Sequence, residues 1–296
     1  MKRFFLEFLV VCLVFSASVK AQEIFIPTSS EFELQNQKKE VKQQKEKSVK
    51  KAEEKVKLQK KLDAFEIGVD LRSYLYSEPS IDVKHKGLMY GFWFDFAKST
   101  SYGVFGLKSN VAYSSNLTYE GVLCDQTFTT CSPFSSDTNA DLIVKTNLDY
   151  QFTVTDFFTL KTGLGYRYLS DSNSQPGFYL RTGGWGYLPL SVQLNNEISS
   201  AMKIKIELEY DYIFYGGIKS NISEAISTFE DVYHNQTGYG LGVNASLRFK
   251  QKYSIGAFFE TWNLNRSEVV TQGAIDFIEP ENTGQSIGLR FGYDLY

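Results

Sequence analysis

Histidine is nearly absent from this chain, and cysteine and proline are scarce. There are 2 His, 3 Cys and 6 Pro in 296 residues. Two histidines leave little material for His-based catalysis. Few prolines leave few interruptions to extended structure. Long apolar runs are missing too, apart from one at the N-terminus. A polytopic helical membrane protein needs repeated runs of about 20 apolar residues, so that class is excluded. What is abundant is aromatic: 24 Phe and 19 Tyr. That composition favours strands over helices.

The first 21 residues read as an export signal. Lys2 and Arg3 form a positive start, Phe8 to Phe15 a short apolar core, and Val19-Lys20-Ala21 a cleavage site before Gln22. The core is too short for a transmembrane anchor. Cys12 lies inside it, which does not fit a lipoprotein site. Cleavage leaves Cys124 and Cys131, in the stretch CDQTFTTC. An even pair in an exported chain predicts one disulfide closing a small loop. A metal site is the alternative, but no His lies nearby.

Residues 31–61 differ from the rest, with 11 Lys, 6 Glu and neither Gly nor Pro. These are helix formers. Leu34, Val41, Val49 and Val56 recur near a seven-residue spacing, but sparsely. A solvated helix with frayed ends is expected, with disorder as the other reading. From Leu62 onward, 26 acidic residues face 17 basic ones. An acidic main domain argues against nucleic-acid binding. The expected organisation is a signal at 1–21, a Lys/Glu/Gln-rich segment at 22–61 and a main domain at 62–296.

The main domain alternates with period two, the pattern of strands. MKIKIELEYDYIFY (202–215) is the clearest case. Lys203, Lys205, Glu207, Glu209 and Asp211 share one face; Ile204, Ile206, Leu208, Tyr210 and Tyr212 share the other. The stretches 65–76, 87–97, 140–152, 157–169, 239–249 and 286–296 repeat the pattern. Weaker versions occur at 102–114, 186–195 and 253–263. Ten strands result. Fourteen residues extend about 45 Å, more than a usual globular strand but enough to cross an apolar band of roughly 25 Å at a tilt. Connections alternate, short near 98–101, 153–156, 196–201 and 250–252, and long near 77–86, 115–138, 170–185, 216–237 and 264–284.

These features predict an all-β, antiparallel, up-and-down transmembrane barrel. Short turns would face the periplasm and long loops the outside, leaving both termini periplasmic. Eight or twelve strands are the alternative counts. The orientation of the faces follows from energy. A Lys facing lipid at mid-bilayer costs about 2–4 kcal/mol, so five misplaced charges would cost on the order of 10 kcal/mol. That is comparable to the net stability of a domain. The charged face therefore points into the lumen. The inward set is Glu66, Asp70, Arg72, Asp95, Asp141, Lys145, Asp149, Lys161, Arg167, Lys203, Lys205, Glu207, Glu209, Asp211, Arg248, Glu260 and Arg290.

With its signal, its alternating strands, its unequal loops and its last strand GQSIGLRFGYDLY, the chain resembles the Gram-negative outer-membrane β-barrels. The resemblance covers 62–296. It implies residence in the outer membrane, contact with lipid, a monomer, and recognition of the C-terminal strand by the barrel assembly machinery. Tyr296 fits as the aromatic end of that strand, although Tyr293 and Leu295 hold the apolar register. Residues 31–61 leave room for a periplasmic partner.

A ten-stranded barrel is also the form of the omptin proteases, which use acidic residues and an Asp-x-His pair at the outer rim. Here the spacing is Asp231-Val232-Tyr233-His234, with Glu230 adjacent. Asp231 and His234 are thus loop candidates for an acid orienting a base. His85 with Asp82 is a second such pair. The His-x-Ser arrangement of outer-membrane phospholipases is absent, as are P-loop, zinc and dinucleotide fingerprints, so no cofactor is expected. Three functions are in view. The first is a structural or surface-interaction role, through long loops and a side-chain-filled lumen. The second is a narrow cation-preferring pore. The third is a hydrolase or acyltransferase.

Overall fold

Alternation becomes extended structure along the whole main domain. The computed structural model describes residue 45 and residues 64–124, 131–175 and 178–295. The expected export signal at 1–21, nearly all of the 22–61 segment and Tyr296 lie outside the described residues. The strands are β1 (Ala64–Glu78), β2 (Val83–Thr100), β3 (Gly103–Cys124), β4 (Cys131–Thr155), β5 (Phe158–Asn173), β6 (Arg181–Ser199), β7 (Met202–Ser220), β8 (Val232–Asn235), β9 (Gly238–Phe249), β10 (Tyr253–Leu264), β11 (Val270–Gln272), β12 (Ile275–Phe277) and β13 (Asn282–Asp294). Ten of them form a closed antiparallel barrel. Neighbours in sequence pair all the way round, β7 pairs with β9, and β1 pairs with β13 to close the ring. Closure leaves no unpaired edge, which an open sheet in lipid could not tolerate. The short strands β8, β11 and β12 belong to the two longest loops.

The outer face carries an apolar belt. Val69, Leu88, Phe92, Leu148, Leu164, Leu208, Ile287 and Phe291 are all exposed. Each sits on the face that the period-two pattern assigns to lipid. The inner face is the core. Tyr74, Met89, Trp185, Tyr187, Ile213 and Trp262 are buried there together. Small residues make room for these rings. A Cβ on Gly165 would stand 2.2 Å from the ring of Tyr187.

Three connections read from sequence as long are short. β1 and β2 are joined by residues 79–82, β3 and β4 by 125–130, and β5 and β6 by 174–180. The strands run on instead. β4 has 25 residues, about 80 Å along its own axis, so a tilted crossing of a roughly 25 Å band uses less than half of it. Above the belt the extensions meet water on their outer face, which no longer selects apolar residues, and register shifts at Lys86/Tyr90 and Ser114/Leu117 break the period, so alternation fades although pairing continues. The Cys124–Cys131 backbone pair ends the β3–β4 ladder; the side chains of that predicted disulfide lie outside what is described.

The short turns fall where expected. At 250–252 the chain turns with Lys250 and Gln251 at φ 49° and 61°. Lys252 N–H donates to Phe249 O at 3.0 Å. Two left-handed residues inside a β-hairpin are the signature of a type I′ turn.

Candidate functional site

The lumen collects the charged face of every barrel strand. At the short-turn end it is open, as a vestibule of about 580 Å³. Glu66, Asp95, Lys161, Lys203, Lys205 and Arg248 line it. Arg248 donates to Glu66 and Asp294 at 2.6 and 2.7 Å. Lys205 pairs with Asp95 at 3.2 Å, and Lys203 with Glu197 near the rim at 2.8 Å. Above the vestibule the space shrinks to about 140 Å³, beside Trp93, Lys108, Asn147, Glu207, Glu209 and Arg290. Glu207 is gripped by Lys161 at 3.0 Å and by Lys108. Lys108 also approaches Asp149, at 4.0 Å.

The next layers are crowded with paired charges and aromatic rings. Asp70 accepts two bonds from Arg72, at 2.7 and 2.8 Å. Arg72 and Arg290 both lie over the Phe258 ring, at 4.9 and 4.4 Å from its centre. Arg290 also faces Trp93. Opposite them, Lys145 sits among three carboxylates. Its Nζ is 2.7 Å from Glu209, 2.9 Å from Asp211 and 3.0 Å from Glu260. Trp262 donates to Glu260 at 2.6 Å and packs edge-on against Tyr187. Arg167 lies between Trp185 and Trp262. All three tryptophans of the chain thus point inward. Cation–π contacts and paired charges let bulky groups share a confined space.

Higher still, beyond the belt, Arg181 donates to Glu78 at 2.7 Å, to Glu279 and to the Tyr76 hydroxyl at 3.1 Å. Burial, with the Glu78 charge adding to it, outweighs Arg181 and pushes Glu279 up to about 7. The outermost cover comes from the two longest loops. Gln272 bonds Glu230 N–H and C=O, both at 3.0 Å, and Phe229 meets Phe277 edge-on. Ser267 ties the two loops together, accepting from Glu279 N–H at 2.9 Å and lying 3.2 Å from His234 Nδ1.

The loop candidates are not brought together as the sequence suggested. Asp231 accepts from Ser223 and pairs with Lys219 at 2.9 Å; these bonds lower its pKa. His234 points the other way, into the cap, where burial depresses its proton affinity. Alternation explains this, because residues 231 and 234 fall on opposite faces of an extended segment. Asp82 is likewise an exposed turn residue paired with Lys84, while His85 faces the lumen. His85 Nδ1 lies 3.7 Å from both Asp141 Oδ2 and Asp171 Oδ1. Sequence reasoning missed Glu78, Lys108, Asn139, Asp171, Arg181, Ser267 and Glu279. Most sit on the polar extensions, where alternation is lost. Lys108, in the weakly alternating 102–114 stretch, had a signal that was available.

No protein-family model matches the chain, and no curated protein is similar to it in sequence. Solved structures with a similar course of chain include the outer membrane protease OmpT from Escherichia coli. It is 10% identical, with a TM-score of 0.46, covering 79% of this chain and 97% of that one. The beta domain of the Bordetella autotransporter BrkA is 10% identical, with a TM-score of 0.40, covering 77% and 99%. The Neisserial surface protein A is 11% identical, with a TM-score of 0.31, covering 76% and 95%. The closed ten-stranded ring with its apolar belt has the architecture of an outer-membrane β-barrel.

Proposed function

We propose that this chain is a monomeric outer-membrane barrel with a sealed lumen, acting as a structural and surface-contact protein through its outer cap. One observation carries the reading: the stacked layer of Lys145, Glu209, Asp211, Glu260, Trp262, Tyr187, Arg167 and Trp185 spans the inside of the ring. A conducting pore needs a continuous polar path with sites that an ion can leave. Here cations and carboxylates pair with one another in place, and aromatic rings fill the gaps. The docked loops favour a surface role, because they make a defined outer face rather than loose ends. Val269 and Tyr233 are exposed on it, the kind of apolar site on which a partner can rest. In this reading both termini lie in the periplasm, an export signal precedes residue 22, residues 22–61 are periplasmic, and the last strand engages the assembly machinery.

Single-channel recording of the refolded chain in a planar bilayer tests the sealed lumen, with and without residues 22–61. The expected result is silence from both, with heat-modifiable gel migration showing a folded barrel. Stable cation-selective steps from the folded chain would overturn the reading. Steps only after truncation would make residues 22–61 a plug and refute sealing by the layer.

A further inference from the structure

We propose that His85, Asp141 and Asp171 form a binding site for a divalent transition-metal cation of the zinc, manganese or cobalt class. The site lies inside the barrel above the apolar belt. His85 comes from β2, Asp141 from β4 and Asp171 from β5. The two aspartates are direct partners across the β4–β5 ladder. All three side chains are buried, and their ligand atoms lie within 4.8 Å of one another. The imidazole Nδ1 stands 3.7 Å from an oxygen of each aspartate. Two ligands bound at about 2.0–2.2 Å in a tetrahedral site are roughly 3.4 Å apart, so each His–Asp pair closes by only a few tenths of an ångström when a cation binds.

A second observation points to a missing positive charge. Asp141 Oδ2 is fully buried and has no hydrogen-bond partner among the described residues. Its other oxygen accepts from Asn139 Nδ2 at 2.7 Å. The same amide nitrogen is 3.0 Å from Asp171 Oδ1 and 3.1 Å from His85 Nδ1. An amide has two hydrogens and here faces three acceptors, so it cannot satisfy them all. It marks the point toward which three ligand atoms converge. Asn139 turns aside as a cation takes that point.

The charge balance agrees. Glu78, Asp171 and Glu279 surround Arg181, with Asp171 at 3.7 Å, and Asp141 stands beside Asp171 across the β4–β5 ladder. Even with Arg167, one layer deeper on β5, four carboxylates face two guanidinium groups. With all four ionised and His85 neutral, a dication brings this region to neutrality. One imidazole with two carboxylates suits borderline divalent metals. Calcium and magnesium prefer all-oxygen sets, and cuprous ions prefer sulfur. His85 is held between the Tyr76 and Tyr119 rings, at 5.1 and 5.2 Å, which fixes its plane.

The test uses the untagged, refolded chain in detergent after chelator treatment. It is dialysed against Zn²⁺ and, separately, Mn²⁺, and bound metal is measured by plasma mass spectrometry. One equivalent per chain is expected. His85→Gln and Asp141→Asn weaken it by more than the roughly 10–100-fold that loss of an outer-shell partner costs, and His234→Gln leaves it intact. Each variant is first checked for heat-modifiable migration. If neither ligand variant folds, the wild-type chain loaded with Cu²⁺ is read by electron paramagnetic resonance, where coupling to a single imidazole nitrogen is expected. Substoichiometric binding to the wild type, binding that survives both variants, or a copper spectrum without nitrogen coupling each overturn the site.

Discussion

Replacing Lys145 by methionine removes the one ammonium that holds three carboxylates inside the barrel. The methionine matches the stem in length, so the volume filled changes little, while the two cation–π contacts with Tyr187 and Trp262 go with the charge. The electrostatics change a great deal. At about 3 Å and an effective dielectric near 20, each of the three contacts is worth roughly 5 kcal/mol before desolvation. Much of that gross attraction is offset by dehydration of the lysine and by repulsion among Glu209, Asp211 and Glu260. Removing one partner from a buried ion pair costs about 3–5 kcal/mol, because the remaining charge is left uncompensated. With three carboxylates stranded, the upper end of that range is the expectation. The assay is urea unfolding in detergent, followed by gel migration and tryptophan fluorescence. A second substitution, Asp211→Asn, is expected to recover part of the loss in the Lys145→Met background while destabilising the wild type. Interaction energies of this kind are what a double-mutant cycle isolates. A loss below about 1 kcal/mol, the range of exposed pairs, would refute the idea that this layer is a cohesive seal.

Other expectations follow from the turn, the cap and the cysteines. Gln251→Gly is expected to stabilise the barrel by about 1 kcal/mol in the same unfolding assay, since Gln251 occupies a left-handed turn position that favours glycine. The cap is expected to depend on pH. Glu279 has its pKa raised in the folded state to about 7, so its contribution is complete below the unfolded value and is lost as pH rises through 7. Protection factors across 265–281, which remove the intrinsic pH dependence of amide exchange, are then expected to fall between pH 5 and 8, by an opening energy on the order of a few kcal/mol at most, and Glu279→Gln to flatten that response. The groups facing Glu279 are Arg181, Glu78, Asp171, Ser267 and, through Ser267, His234. Protection factors that are the same at both pH values would show that Glu279 does not titrate there. Finally, Cys124 and Cys131 stand opposite each other in the β3–β4 ladder. Intact-mass measurement is expected to show the loss of two hydrogens; two free thiols would exclude the bridge.

Much of the barrel was legible one strand at a time. Period-two alternation is a local property, and in lipid its sign is enforced by the cost of exposing charge. The inward set on β7, from Lys203 to Asp211, could therefore be assigned to a face without knowing any neighbour. The same reasoning found the ends of the short turns. It failed on the polar extensions, where β3 and β4 pair far above the belt with no apolar face to announce them. It also failed at residues 231 and 234, where composition suggested a pair and strand geometry turned one side chain out and the other in.

Which groups meet across the lumen was decided only by tertiary structure. Lys145 lies 64 residues from Glu209 and 115 from Glu260. Their contact depends on ring closure and on the register of every intervening ladder. No local pattern encodes that register sum, and a slip at one hairpin would move each later charge to a different height. The same holds for His85, Asn139, Asp141 and Asp171, on three strands. The sequence alone determined which face each alternating residue takes, because lipid and lumen act on one strand at a time. The closed ring determined which residues share a layer, because that requires all ten strands at once.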